Sequence, residues 1–415
     1  MVSYPPYFVE AGSDPLILIL SIGIILVLTG ISVIVIESKC KNQKIKNILY
    51  LGLILQLGVV IIDHFIKAFP TIILDPRAFE RNGWYSYLYD VNIGRGKYNY
   101  WFINPIYKLL KIRVAIIFSV INVFFTILTN LNILECLNKL KIDKKLIKNL
   151  MIIAVLSPIS IIMKAGIQRE AIIIIFLSYS LKNFLDYSLK KTFSKMIKSF
   201  IFIGIAAVFH SGVIFLSIGY LFFLLSGKKS QTIKQIFIFL IAILGFIIFK
   251  DQLLEKVGGG DINHIIAMNN MEFLKEAGSA YLTSISTNSL LQIIMYLPLF
   301  IFYFLYSPTP DMFRGILDII TFVLNSSIFI YLTIGGYYFY KKNNKNLLKI
   351  ERKILKAIYI SLLATTIVFS IGTRNAGTAM RHRDKLIPFL IISFAIVKNR
   401  NIREKDNERI FDQVR

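Results

Sequence analysis

Residues 15–36 read PLILILSIGIILVLTGISVIVI, with no charged side chain between Pro15 and Ile36. A helix rises about 1.5 Å per residue, so a stretch of this length crosses about 30 Å of hydrocarbon while satisfying its own backbone hydrogen bonds. Further apolar blocks, most of them roughly 16 to 25 residues long, follow it; among the apolar runs are 47–66, 114–134, 171–187 and 354–371. Over the 415 residues, 55% are hydrophobic and only 17% charged, and the mean hydropathy is +0.64. Soluble chains of this size carry about a quarter charged residues. The apolar runs are solid rather than alternating, which excludes a porin-like barrel along with a soluble enzyme or a disordered chain. The expected fold is all-α: a polytopic transmembrane helical bundle of about 11 spans, forming a single integral membrane domain over 1–415.

The net charge of +24 raises the question of nucleic acid. The positions of the lysines answer it. They gather in short connectors: Lys39, Lys41, Lys44 and Lys46; Lys139, Lys141, Lys144, Lys145 and Lys148; Lys190, Lys191, Lys195 and Lys198; and a group from Lys341 to Lys356. Basic clusters spaced by apolar spans follow the positive-inside rule and mark cytoplasmic loops that meet anionic headgroups. The partners expected are therefore membrane lipids, with no nucleic acid. Cys40 and Cys136 are expected in these loops, where thiols stay reduced, and indicate neither a disulfide nor a metal site.

The N-terminal MVSYPPYFVEAGSDP has no Lys or Arg and lacks the basic start and cleavage site of a signal peptide, so it reads as a short external leader. Spans at 15–36 and 47–66 then go in and return. Residues 67–104, rich in Tyr and Trp, form an external aromatic and charged loop at headgroup level. Spans 149–163 and 171–187 make a hairpin with KAGIQRE at its external tip, 354–371 emerges into TRNAGTAMRHRDK, and 386–397 re-enters. Residues 398–415 are a basic cytoplasmic tail. Residues 199–226 are interrupted by HSG at 210–212 and allow two readings, a single crossing or a hairpin of two short legs. The charge of Lys228, Lys229 and Lys234 favours the hairpin, which makes 250–285 a second large external loop and the segment around Pro298 re-entrant.

Lysine outnumbers arginine 34 to 14, yet Arg77, Arg81, Arg95, Arg169, Arg374, Arg381 and Arg383 all fall on the expected external face, as does Arg314 in either topology. A guanidinium is a planar fork that grips phosphate or carboxylate with two bonds, whereas an ammonium is a point charge. This distribution points to an anionic, phosphorylated ligand outside; the alternative is snorkelling and structural ion pairs. The densest group is RHRDKLIP (381–388), whose adjacent cations call for an anion, or for Asp384, to offset their repulsion. Arg169 and Glu170 sit at the hairpin tip on different sides of a helix start. In LDPRAFERNGW (74–84), Arg77, Glu80 and Arg81 have helical spacing that puts them on one face, with Asp75 just ahead. His210 lies inside an apolar segment, where it is either a packing residue or a proton acceptor. The sequence carries no HExxH, and GGG at 258–260 lacks the lysine of a phosphate-binding loop, so neither a zinc hydrolase nor a nucleotide site is indicated.

The order of these features resembles the Wzy-type oligosaccharide repeat-unit polymerases of bacterial surface polysaccharide clusters, and more distantly the GT-C membrane glycosyltransferases. The resemblance is carried by LDPRAFERNGWYSYL, SPISIIMKAGIQREAI, the HSG break, FYFLYSPTPDMF and GTAMRHRDKLIPFLI, and covers most of the chain. It implies a GT-C-like architecture in the bacterial cytoplasmic membrane, with the active site facing outward. It implies transfer of a growing glycan from a polyprenyl diphosphate onto the next lipid-linked repeat unit, without nucleotide sugar or other cofactor. Flippase and chain-length-regulator proteins would be partners. On this basis Arg381, Arg383 and Arg169 are expected at phosphate and Arg77 or Arg81 at the acceptor, with Asp75, Glu80, Glu170 or His210 as the base. The rivals are a GT-C enzyme using a polyprenyl-phosphate sugar, an O-antigen ligase, and a lipid-linked oligosaccharide flippase.

Overall fold

The computed structural model describes residues 15–66, 74–92, 97–226, 279–283, 285 and 289–414. The expected leader, the start and part of the middle of the first external loop, Arg95, Lys228, Lys229, Lys234, the GGG turn and most of 250–285 lie outside the described residues. Side chains at Asp75 and Arg77 are likewise outside them, although both positions fall within a helix.

Among the described residues the fold is helical, apart from one isolated antiparallel bridge, Ala280 to Asn375. In chain order the helices are α1 (Pro15–Lys39), α2 (Gln43–Ile61), α3 (Leu74–Tyr89), α4 (Asn104–Leu110), α5 (Ile116–Lys139), α6 (Lys144–Leu156), α7 (Pro158–Ala165), α8 (Glu170–Lys190), α9 (Phe193–Phe209) and α10 (Ser217–Leu225). They continue with α11 (Leu290–Tyr306), α12 (Ile316–Thr321), α13 (Ser327–Ile330), α14 (Gly336–Asn343), α15 (Lys349–Ile371), α16 (Ala376–Asp384) and α17 (Ile387–Val414). Among the described residues, six segments are long and apolar enough to cross a membrane: Pro15–Lys39, Gln43–Phe65, Ile116–Lys139, Glu170–Lys190, Asp318–Asn346 and Lys349–Ile371. That is the make-up of a multi-pass membrane protein. Several other runs in the expected set are interrupted. The block 149–163 breaks at Ser157, because Pro158 cannot continue the hydrogen-bonded ladder, and resumes as α7.

Polar residues in the connectors start the helices. The Asn42 side chain accepts from the Lys44 and Ile45 amides, and Asp143 does the same for Lys145 and Leu146. Asn375 caps α16 through the Thr378 amide. Each satisfies donors that the first turn leaves open.

The chain divides into two compact units. The first comprises 1–134 and 151–178, the second 135–150 and 179–415. In the first, α1 leaves Leu26, Val27 and Ile34 exposed, the surface that a lipid-facing helix presents. Gly52 meets Val155 and Gly83 meets Ile103 so closely that a Cβ would collide, which brings α2 against α6 and α3 against the turn Asn99–Ile103. In the second unit, the chain reverses at HSG. His210 is extended, Ser211–Leu216 forms a 3-10 turn, and α10 runs back along α9, putting the rings of Phe200 and Tyr220 6.3 Å apart. Lys191 at the head of α9 lies over the Phe223 ring near the end of α10. The hairpin form of 199–226 is therefore the observed one. Gly219 allows α10 to touch the Ala357 carbonyl and Ser361 of α15, and Ser361 donates to the Leu216 carbonyl at 2.5 Å. Cys136 lies within α5, rather than in a connector, and is buried.

Candidate functional site

In the first unit, α3 brings Glu80 inward while Arg81, one position on, stays exposed. Adjacent helical residues point about 100° apart, so the expected shared face of Glu80 and Arg81 is not formed. Glu80 instead meets Arg113. Its two oxygens accept from Arg113 Nε at 2.7 Å and Nη2 at 2.6 Å, and Tyr107 Oη donates to Oε1 at 2.6 Å. Trp84 packs edge-on against Tyr107, with the Arg113 guanidinium 5.9 Å over the indole. These short, charge-assisted bonds occupy both carboxylate oxygens, making Glu80 a latch between α3 and the segment after α4. A general base would need a free oxygen.

The tip KAGIQRE is not an exposed turn. Lys164, Gln168 and Glu170 are buried, and the Asn122 side-chain amide of α5 donates to the carbonyls of Gly166 at 2.7 Å and Gln168 at 2.9 Å. Glu170 opens α8, where a carboxylate complements the positive end of the helix dipole. Arg169 lies 5.9 Å over the Phe79 ring of α3. The structure thus joins the tip to the first-loop helix through an aromatic ring, a meeting that neither motif displays by itself.

In the second unit the HSG break presents His210 to α16. Its Nε2 lies 3.2 Å from Nε2 of His382, 172 residues further on, and Thr373 Oγ1 is 3.3 Å from His382 Nδ1. Phe369 packs against both imidazoles. Two facing Nε2 atoms at this distance hold one proton between them, one ring donating and the other accepting. Gly212 makes room for Phe369, since a Cβ there would clash with its ring.

The RHRDK cluster is helical, so its charges diverge. Arg381 is partly exposed and reaches Thr378 Oγ1 at 3.5 Å. Lys385 is buried and donates to the Arg381 carbonyl at 3.2 Å. Arg383 is fully buried: Nη1 donates to the carbonyls of Leu305 at 2.9 Å and Phe304 at 3.4 Å, Nη2 faces Ser326 Oγ, and Phe329 lies beneath the guanidinium. Those carbonyls belong to the last turn of α11, which lacks intrahelical donors and carries the negative end of the dipole. Arg383, expected at phosphate, is spent on capping α11.

Arg374 was not distinguished from the other external arginines by sequence, and its neighbourhood is unusual. The bridge of 280 with 375 is flanked by two backbone bonds, the Tyr281 amide to the Arg374 carbonyl and the Ala376 amide to the Ser279 carbonyl. Tyr281 Oη donates to the Thr373 carbonyl at 2.7 Å. The Arg374 guanidinium stacks 4.1 Å over Phe300, and Nη1 reaches the Leu282 carbonyl at 3.4 Å. Leu282 itself has φ of 54°, a left-handed conformation costly for a branched residue. Burial lowers the Arg374 pKa, opposed by the nearby Tyr281. Burial raises the Tyr281 hydroxyl, while Arg374 and Arg383 pull it down, so both cations act on one phenol.

No group of three or more His, Cys, Asp and Glu side chains suited to a metal ion occurs among the described residues. Comparison of the chain with protein-family models, with curated proteins and with solved structures finds no match in any of the three.

Proposed function

We propose that the chain is a membrane glycosyltransferase that polymerises polyprenyl-diphosphate-linked oligosaccharide units at the outer face of the bacterial cytoplasmic membrane. In this reading it is a GT-C-like bundle with about 11 crossings and re-entrant segments, its lysine-rich connectors inside. The observation that carries the proposal is the His210–His382 pair, set at a helix break in the same unit as Arg381. Glycosyl transfer from a lipid diphosphate needs two things of the protein. A base must take the proton of the acceptor hydroxyl as its oxygen attacks the anomeric carbon. Cations must stabilise the diphosphate as the carbon–oxygen bond breaks. The histidine pair takes up one proton and spreads the charge over two rings, and Arg381, partly exposed where Arg383 is fully buried, is the cation assigned to the diphosphate.

The test is reconstitution of the purified protein with a lipid-diphosphate oligosaccharide, with products resolved by size. A ladder that shortens or vanishes in Arg381→Ala, and falls about 10²- to 10⁴-fold in rate in His210→Ala and His382→Ala, supports a polymerase. A single added sugar from a polyprenyl-phosphate donor would replace it with a GT-C transferase. With no new glycosidic bond from any donor the enzyme reading fails, and movement of the lipid-linked substrate across the bilayer becomes the assay.

A further inference from the structure

Arg374 is 6% exposed, and among the described residues its Nε and Nη2 have no hydrogen-bond partner. Among the described residues no carboxylate pairs with it. A buried charge without a counter-charge costs several kcal/mol, and buried polar groups are almost always satisfied. A fold does not hold a guanidinium in this state without a compensating gain.

The two open nitrogens are not an arbitrary pair. Nε–H and Nη2–H lie parallel on one edge of the planar fork, the edge that engages two oxygens of one anion. Arg113 displays that use within this chain: its Nε and Nη2 bind the two oxygens of Glu80. In Arg374 the rest of the fork is already anchored, Nη1 on the Leu282 carbonyl and one face on Phe300, while the backbone is clamped to Tyr281. The edge is thus pre-oriented, which removes the ordering cost that a mobile surface arginine would meet on binding. Arg381 and Lys385 in the following helix add positive charge against the single carboxylate of Asp384. That balance suits a dianion better than a monovalent carboxylate.

We infer that the Nε/Nη2 edge of Arg374 is an anion-binding site that takes two oxygens of a phosphate or diphosphate group. The group comes either as the free anion or as the headgroup of a lipid. The inference stands on the second unit alone. Only the choice of a polyprenyl diphosphate as one probe rests on the transferase reading.

The experiment uses the full chain in nanodiscs of zwitterionic lipid and contains no sugar. Three probes are titrated separately: inorganic diphosphate, polyprenyl diphosphate, and phosphatidylglycerol incorporated in the disc, with thermal stabilisation and thermophoresis as readouts. The wild type is expected to bind a phosphate probe, and Arg374→Met to bind it at least tenfold more weakly, with an unliganded melting midpoint equal to or above wild type. Binding of inorganic diphosphate identifies a site for the bare group. Binding confined to polyprenyl diphosphate or to phosphatidylglycerol identifies a lipid-borne one. Arg374→Lys keeps the charge but loses the edge, so the same tenfold loss is required of it; it serves as the test should the Met variant not fold. The inference is overturned if the wild type binds none of the probes, or if the variants bind as well as wild type. A fall in unliganded midpoint with unchanged affinity would make Arg374 a structural residue. Because transfer is not measured, the polymerase reading can fail while this site stands, and the reverse.

Discussion

Arg113 in the first unit and Arg374 in the second are both withdrawn from water and both lie beside an aromatic ring, Trp84 for one and Phe300 for the other. They differ in what meets the fork. Arg113 spends its Nε/Nη2 edge on the fully buried Glu80, with Tyr107 completing the acceptor. Arg374 presents the same edge to no hydrogen-bond partner among the described residues. Arg383 is intermediate, with its Nη atoms on two carbonyls and a serine hydroxyl. One residue type therefore serves as a latch, a helix cap and an anion site, according to whether a carboxylate, carbonyls or, among the described residues, no group meets its Nε/Nη2 edge and its terminal nitrogens. Of these three, the last alone leaves both donors of the edge for a ligand among the described residues.

Stability measurements can break this ordering. Glu80→Ala leaves the half-buried Arg113 without this counter-charge, and a loss of about 3 kcal/mol is expected, read as a large drop in the detergent-solubilised unfolding midpoint. A midpoint within error of wild type would remove the latch. Arg383→Met uncovers the carbonyls of Phe304 and Leu305 and should cost about 2 kcal/mol; a loss as large as that of Glu80→Ala would mean that Arg383 has a carboxylate-strength partner. Asn122→Ala removes the donor shared by Gly166 and Gln168, with an expected cost of about 1–2 kcal/mol. Faster proteolysis within 164–170 would accompany it, and unchanged cleavage would show that the tip is held by other contacts. Arg374→Met is the smallest: no loss of unliganded stability, or a gain. Removing a charge that a folded protein tolerates only for its ligand relieves strain, as it does at binding sites generally.

Several elements were legible before any coordinates. Solid apolar runs at 15–36, 47–66, 114–134, 171–187 and 354–371 became five of the six membrane-length helices among the described residues, because a lipid-crossing segment must close its hydrogen bonds within itself. The break at HSG was legible as an interruption, and the charge of the following lysines favoured the reversal that α9 and α10 make. The site was less so. Glu80 and His210 were marked as candidates, but their partners Arg113 and His382 lie 33 and 172 positions away. Arg113 and Arg374 carried no local signal that set them apart from other arginines. The adjacency of Arg381, His382 and Arg383 suggested one cationic cluster; helical geometry turned them to three different neighbours.

What the sequence by itself determined is the class of environment: a helical chain whose apolar blocks match a bilayer, with lysine in its connectors and arginine set apart. That information is local and additive, since hydrocarbon selects for run length and the positive-inside bias for composition. Only the tertiary structure decided which guanidinium is neutralised and which is left open. Pairing depends on where helices far apart in the chain meet, and at those meetings a rotation of one residue moves a side chain by about 100° around its helix. For Glu80 and Arg81 that rotation separates a buried latch from an exposed charge.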